Sequence, residues 1–412
     1  MNRQPFETPP QWWPPKLSPL MIRVWRGLRR YQQIQQHRLL EIDVRGGEHL
    51  QAAIEAGQGV VVTPNHSSHA DSYVLYHAAE VLKSPLYFMT AWQVFGMSSR
   101  LESWIMQHHG CFSVDREGTD MRAFKQAIDI LQNQPHPLVI FPEGEVYHLN
   151  ERITPFREGT ASIAMTAARK AQRPIVVVPC AIRYTYLTDP TAELLGVMAQ
   201  LEERAYWRVR SDLPLEDRIY RFADGMIALK EVEYLGCSQP GSLDERIAHL
   251  SDHILQQLAQ RHGLIETAGQ IIPERVKKLR RHVIAQLDAI EKTDPGREQL
   301  RKDMDELFLV VQMFSYPGNY VSERPTVERM AETIDKFEED FLDAPTAGIR
   351  ATRSSVVTFG EPVPVPVTRD RAAGAELTRE LERRVQWLLD ETDTTPKPHA
   401  AKPRVAAVGS RQ

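Results

Sequence analysis

His66 and Asp71, five residues apart, are the pair of side chains best suited to acid–base chemistry. They follow the apolar run Val60–Val62 and lie at the start of a predicted helix over residues 72–82. A carboxylate there can hydrogen-bond to the imidazole, which fixes its tautomer and stabilises the imidazolium. His66 is the only one of the 14 histidines with an aspartate at this spacing. We therefore predict that His66 is a general base and that Asp71 orients it.

Three further segments carry residue types with a chemical use. Pro142-Glu143-Gly144 follows a predicted strand over 138–141, and its glycine allows close backbone approach or a positive φ. A second predicted strand, at 112–114, leads to Arg116, whose guanidinium can pair with an anionic headgroup. The third segment is the apolar run Ile175–Val178, which ends at Pro179-Cys180.

Taken in chain order, the four segments resemble the blocks of the glycerolipid (phospholipid/glycerol) acyltransferases, including the 1-acyl-sn-glycerol-3-phosphate acyltransferases. Those blocks are Asn-His-x-Ser-x2-Asp, Gly-x-aromatic-x-Val-x-Arg, Pro-Glu-Gly and a Pro-terminated apolar strand. The resemblance covers roughly residues 45–187 and resumes at 359–365 with a closing helix.

The resemblance implies a role for each matching residue. His66 would deprotonate a glycerolipid hydroxyl that attacks the thioester of acyl-CoA or acyl-ACP. Arg116 would pair with the acceptor phosphate, while Pro142, Glu143 and Gly144 would bind the acceptor, the last two also supporting the oxyanion. No metal or organic cofactor is implied, because the thioester is already activated.

The chain departs from the family pattern directly after Pro-Glu-Gly. Many members that use lysophosphatidate or glycerol phosphate have Thr or Gly followed by Arg there, whereas this chain continues Glu145-Val146-Tyr147-His148. A phosphate site would then depend on Arg116. Other arginines that could contribute to this phosphate site are Arg152, Arg157 and Arg183.

The elements that must position these residues alternate between strand and helix from about residue 45 to 187, which predicts an α/β domain with a largely parallel sheet. Residues 188–349 read as helices alone. Strand-like residues return near 355 and are followed by a helix over 372–389. We predict an acyltransferase-like mixed sheet flanked by helices and interrupted by an all-helical insertion. The predicted parts are an arm (1–44), a first domain part (45–187), the insertion (188–349), a closing part (350–392) and a disordered tail (393–412).

Composition and charge narrow the function classes. The 412 residues are 42% hydrophobic and 25% charged, as expected for a folded protein. No apolar run approaches the ~20 residues that span a bilayer. Residues 1–45 carry a net +5 against −4 for the whole chain, so the remainder is acidic and does not resemble a nucleic-acid binder. The chain has three cysteines, an odd number without paired metal-ligand spacing, and no signal peptide is visible. Both observations favour a location in the reducing cytoplasm.

The N-terminal arm has the pattern of an interfacial helix. Apolar residues recur at helical spacing from Leu17 to Tyr31, and arginines occupy another face, behind Trp12 and Trp13. This pattern favours an anionic membrane surface as a partner, bound through residues 12–38 at the inner face of a membrane. The alternative is a helix packed on its own domain.

Two other functions stay open. His66, His69 and Asp71 place two histidines and a carboxylate close together, as in a metal-dependent hydrolase, although the spacing is not that of binuclear zinc hydrolases. A catalytically inactive, membrane-associated scaffold is the second. A serine hydrolase is disfavoured because the chain has no Gly-x-Ser-x-Gly segment.

Overall fold

Within the residues that the structure describes, eight strands form one mixed sheet. The computed structural model describes residues 6, 8–116, 118, 120–265, 270–342 and 344–394. The strands are β1 (Leu39–Arg45), β2 (Gly59–Pro64), β3 (Tyr87–Ala91), β4 (Cys111–Val114), β5 (Leu138–Val139), β6 (Ile175–Tyr186), β7 (Arg353–Phe359) and β8 (Val363–Pro364). Their order is β1-β7-β6-β2-β5-β3-β4, with β8 also beside β6. The pairs from β6 to β4 are parallel, as is β1 with β7, whereas β7 and β8 run antiparallel to β6.

Helices cover the sheet and fill the insertion. They are α1 (Pro19–Val24), α2 (Arg26–Tyr31), α3 (Gly47–Glu55), α4 (Asp71–Val81), α5 (Trp92–Met97), α6 (Arg100–His108), α7 (Met121–Asn133), α8 (Gly159–Lys170), α9 (Thr191–Arg204), α10 (Leu215–Leu235), α11 (Leu243–Arg261), α12 (Ile272–Ala289), α13 (Gly296–Phe314), α14 (Tyr320–Glu323), α15 (Val327–Phe341) and α16 (Arg371–Thr394). A π-helical turn at Gln32–Gln36 follows α2. No helix among these residues is both long and apolar enough to cross a membrane.

The strand β2 lies at the centre of two cores because its side chains alternate between the faces of the sheet. Val60 and Val62 pack with α3 and α4, while Val61 packs with α7, α8 and α16. All three valines are buried, and each contributes roughly 1.5–3 kcal/mol relative to an exposed side chain. A strand buried on both faces is a rigid support for the polar residues that follow it.

The helical insertion lies between β6 and β7. The described residues there contain α9 to α15 and no strand. One core joins α10 to α11, α12 and α13, and a second joins α9, α10 and α15. The α/β class with a mixed sheet and flanking helices is confirmed.

The sheet begins earlier than the predicted domain boundary at residue 45. β1 pairs in parallel with β7 and therefore belongs to the sheet, not to the arm. Three of its seven residues are charged, as suits an edge strand, and this concealed it from a search for apolar runs. At the other end, α16 continues to Thr394. Residues 395–412 of the predicted disordered tail lie outside the described residues.

Candidate active site

His66 and Asp71 meet between β2 and α4, as their spacing predicts. His66 Nδ1 lies 2.8 Å from Asp71 Oδ2, and the imidazole stacks on Phe141 with ring centroids 4.0 Å apart. Asp71 is the first residue of α4 and is fully buried, while the His66 side chain is partly exposed. With Nδ1 occupied, Nε2 is the nitrogen left to exchange a proton with a substrate.

Two further groups fix the Asp71 carboxylate. The Ser68 N–H donates to Oδ2 at 3.1 Å, and the Tyr184 hydroxyl donates to Oδ1 at 2.7 Å. Burial raises the pKa of Tyr184 well above its ordinary value, and Asp71 raises it further, so the phenol keeps the proton that it donates. Asp71 therefore has both oxygens engaged by donors and can orient His66 rigidly.

Asn65, the residue before His66, attaches the start of the histidine loop to β6. Its side chain accepts a hydrogen bond from the Ile182 N–H at 2.7 Å and donates to the Ile182 carbonyl at 3.0 Å. These two hydrogen bonds extend the contact between the β2 end of the chain and β6 to Ile182, two residues past Cys180, which is the last β6 residue paired with β2. The histidine loop thus leaves the sheet at a fixed position.

Glu143 contacts protein donors with both of its oxygens. Oε1 accepts the backbone N–H of His66 at 2.7 Å, and Oε2 accepts the N–H and the hydroxyl of Thr154 at 2.9 and 2.5 Å. The residue is only 3% exposed, and burial raises its pKa although these hydrogen bonds oppose the rise. Glu143 is therefore a positioning residue here, and its predicted contact with an acceptor stays a prediction.

Gly144 lies in a turn that only glycine adopts easily, with φ at +81°. A Cβ at this position would lie 2.6 Å from Arg157 Nε. Arg116 approaches the same turn, donating to the Gly144 carbonyl and pairing with Glu145 at 2.9 Å. The Gly144 N–H donates to the Phe141 carbonyl at 3.1 Å. Two guanidinium groups, from Arg116 and Arg157, thus flank the glycine.

The other two arginines that were candidates to assist a phosphate site form ion pairs away from Gly144. Arg152 pairs with Glu323 of α14, and Arg183 pairs with Glu151 at 2.7 Å. Both interactions connect the residues after Gly144 to other elements. Of the three candidates, the structure brings only Arg157 to the turn that carries Gly144.

A large cleft, here called the central cleft, opens beside His66. It measures about 1060 Å³ and is lined by His66, Pro142, Gly144, Arg116 and Arg157 at one end. The rest of its lining is mainly apolar and includes Trp25, Leu28, Tyr73, Tyr76, Phe88, Val94, Met97 and Met106. Leu28, Val94 and Met97 are exposed, so the apolar part of the cleft reaches the protein surface.

The N-terminal arm packs on the domain and leaves one apolar stripe exposed. Trp12 contacts Phe112 edge-on, and Trp13 stacks on Phe95 at 5.6 Å between ring centroids. Both tryptophans therefore have partners within the protein. Arg29 is buried, with its guanidinium 2.5 Å from Glu80 and from His109. The exposed apolar residues of α1 and α2 are Leu20, Val24, Leu28 and Tyr31.

His69 contacts residues other than the His66–Asp71 pair. Its Nε2 lies 3.6 Å from Glu339 Oε1, and His148 Nε2 lies 3.2 Å from the same oxygen. Within the described part of the chain, this is the one group of three potential metal ligands with all donor atoms within 4.8 Å of one another. The set His66, His69 and Asp71 is not assembled as a ligand group there.

Several residues that shape the site were not predicted. Tyr184 is 113 residues away in sequence from Asp71, and Thr154 is 11 residues away from Glu143. Glu339 is 270 residues from His69 and 191 from His148, the two histidines that it contacts. The only local signal is the position of Tyr184 near the end of β6, a strand that continues through Pro179 to Tyr186. Glu339 lies within a helix of the insertion, where a charged residue has no distinctive pattern.

Comparison with known protein families covers the part of the chain that carries the site. A family model described as Acyltransferase matches residues 41–183, which include all four motif segments. A comparison with curated protein sequences found no match. The family match supports acyltransferase activity in general.

Proposed function

We propose that this protein moves a fatty acyl group from acyl-CoA or acyl-ACP to a hydroxyl of lysophosphatidate or a related glycerolipid, in keeping with the match of residues 41–183 to a family model described as Acyltransferase. The observation that carries the proposal is the His66–Asp71 pair beside a cleft that Arg116 and Arg157 also line and whose remaining lining is mainly apolar. Each part of that arrangement matches one part of the reaction.

His66 supplies the proton transfer. Its Nε2 takes the proton of the acceptor hydroxyl as the oxygen attacks the thioester carbonyl, and the imidazolium then returns the proton to the departing thiolate. Asp71 stabilises that imidazolium through Nδ1. A positioned general base contributes about 10²–10⁴-fold to rate. The thioester needs no metal or organic cofactor to activate it.

The two arginines that line the cleft beside Gly144 suit an anionic acceptor. Arg116 and Arg157 flank Gly144 and line the cleft with His66. Arg116 already forms an ion pair with Glu145, and each of these two side chains is about one-fifth exposed. A phosphate would therefore compete with Glu145, and we expect weaker recognition of phosphate acceptors than an unpaired arginine would give.

The apolar end suits an acyl chain. Its walls are aromatic and methionine side chains, and its mouth reaches the surface beside the exposed Leu28 and Met97. A chain partly withdrawn from a membrane could enter there without crossing water. We therefore propose that the protein works at the cytoplasmic face of a membrane, as a peripheral protein.

The exposed stripe of the arm is the proposed membrane contact. Leu20 and Val24 are 67% and 63% exposed and lie four residues apart, on one face of the N-terminal helical segment. Arg23 and Arg30 are also exposed and supply positive charge for an anionic leaflet, worth about 1 kcal/mol each near the surface, whereas exposed Arg26 pairs with Glu80 at 2.9 Å. We do not assign the two tryptophans to this contact, because their half-buried rings pack on Phe112 and Phe95.

Acyl transfer is tested with purified protein, palmitoyl-CoA or palmitoyl-ACP, and three acceptors: lysophosphatidate, glycerol 3-phosphate and lysophosphatidylcholine. We expect product from at least one pair, and a loss of about 10²–10⁴-fold in kcat for His66→Ala. Asp71→Asn should also lose most activity. His108→Ala, outside the cleft, is the control. Full activity in His66→Ala refutes the proposal, and no product from any pair favours a scaffold.

Membrane contact is tested by sedimentation with vesicles of phosphatidylglycerol and phosphatidylcholine. Leu20→Ser combined with Val24→Ser should weaken binding. The matched control is Leu229→Ser with Val232→Ser on α10, which changes two side chains of similar exposure, 60% and 52%. Equal binding by both double variants would remove α1 from the proposed contact.

A further inference from the structure

Three segments far apart in sequence bring His69, His148 and Glu339 together. His69 is in the loop between His66 and Asp71, His148 follows the Pro-Glu-Gly turn, and Glu339 is on α15 of the insertion. Their donor atoms all lie within 4.8 Å of one another. Two imidazoles and one carboxylate are a donor set that binds zinc in proteins, leaving a fourth position open.

The distances fit a shared cation. Two ligand atoms bound at about 2.0–2.1 Å to a tetrahedral zinc lie about 3.3–3.4 Å apart. His148 Nε2 and His69 Nε2 are 3.2 and 3.6 Å from Glu339 Oε1, which brackets that separation. Small movements of exposed His69 would bring all three atoms to ligand distance.

His148 provides an independent observation. Its side chain is only 10% exposed, and its Nε2 is buried without a well-aligned hydrogen bond even though Glu339 Oε1 is close. A buried imidazole nitrogen without such a partner costs free energy unless another group binds it. Its backbone also has a positive φ, +50°, which a non-glycine residue adopts at a cost.

We propose that His69, His148 and Glu339 bind one divalent transition-metal ion of the zinc class. The ion connects α15 of the insertion to the loop that carries His66. His69 lines both the central cleft and a neighbouring cavity of about 400 Å³ that His148 also lines, so the proposed site is open to exchange of the ion.

The role of this ion is to position the loop, not to activate the thioester. His69 is three residues from His66, and His148 follows Gly144 by four, so both segments of the candidate active site are held by one centre. Metal binding is independent of the acyltransferase proposal, because it is measured without substrate.

The test uses full-length protein with its affinity tag removed. The zinc content per chain is measured by elemental mass spectrometry, and the affinity for Zn²⁺ is measured by calorimetry. The geometry of the site is read from the visible spectrum of the Co²⁺-loaded protein. We expect close to one Zn²⁺ per chain and a tetrahedral Co²⁺ spectrum. His148→Gln and Glu339→Gln should each weaken Zn²⁺ binding by about 100-fold or more, by loss of a direct ligand.

His262→Gln is the matched control, because His262 is also a buried histidine paired with a carboxylate, Asp303, at 2.9 Å. It should bind Zn²⁺ as the wild type does. His69→Gln changes an exposed side chain, so it carries the test if the buried variants fail to fold. Equal Zn²⁺ affinity in wild type and His69→Gln, or no binding by folded wild type, overturns the proposal.

Discussion

Glu143→Gln separates a positioning residue from one that contacts substrate. The carboxylate accepts three hydrogen bonds, one from the His66 N–H and two from Thr154. A glutamine amide has one oxygen and one NH₂, so it must turn the NH₂ toward either the His66 N–H or the Thr154 N–H. In both orientations a buried backbone donor loses its acceptor.

The structure sets the size of the effect. An unsatisfied buried donor costs about 1–3 kcal/mol, and the melting temperature falls by about 2–4 °C per kcal/mol for domains of 150–250 residues. We expect a decrease of several degrees. Because the His66 backbone loses its anchor, we also expect kcat to fall by up to about 10²-fold, the cost of a misplacement near 1 Å. KM should change little.

Thermal unfolding and steady-state kinetics check both expectations. Thr154→Val is the control, since it removes one hydroxyl donor and leaves the His66 N–H bond intact; it should be milder in both assays. The reasoning is refuted if Glu143→Gln unfolds at the wild-type temperature. An increase in KM without loss of stability would instead support the direct acceptor contact that the family resemblance implies.

Three further changes test the same region. Glu145→Gln removes the partner of Arg116, so KM for lysophosphatidate should fall relative to an acceptor without phosphate; equal KM values count against a phosphate site at Arg116. Gly144→Ala should destabilise the protein by about 1–3 kcal/mol in urea unfolding, since φ is +81° and Arg157 Nε fills the space; an unchanged midpoint contradicts this. Burial mainly, and Arg29 secondarily, lower the pKa of His109 to about 4, despite an opposing hydrogen bond to Ile105. The unfolded chain, with a pKa near 6.5, binds this proton first, so stability should fall as pH drops from about 6.5 to about 4, and His109→Gln should flatten the melting-temperature profile there.

The local parts of the site could be predicted from the sequence, and the tertiary parts could not. His66 and Asp71 lie on one loop, so their contact needs only a strand followed by a helix. Gly144 is likewise decided within one turn. Tyr184, in contrast, reaches Asp71 only because β6 lies beside β2, and no spacing in the sequence encodes that register.

The tryptophans illustrate a different limit of sequence reasoning. Trp12 and Trp13 beside a basic helix have the composition of a membrane interface, but their rings contact Phe112 and Phe95. An apolar tryptophan ring is removed from water equally well by lipid and by protein, so composition alone cannot distinguish the two environments. The exposed stripe of Leu20 and Val24 became visible only when the packed face of the arm was known.

The place of β7 in the sheet has a consequence for how the chain is made. β1 pairs only with β7 among the strands described, and β7 follows the insertion, about 300 residues later in the chain. At about 5–20 residues per second, a ribosome adds those residues in roughly 15–60 s. During that interval β1 is without its partner, and from the synthesis of β6 onward the β6 edge that β7 later covers is open to other chains. The nascent protein therefore faces its greatest risk of aggregation before residue 359 is synthesised, when the insertion can already fold.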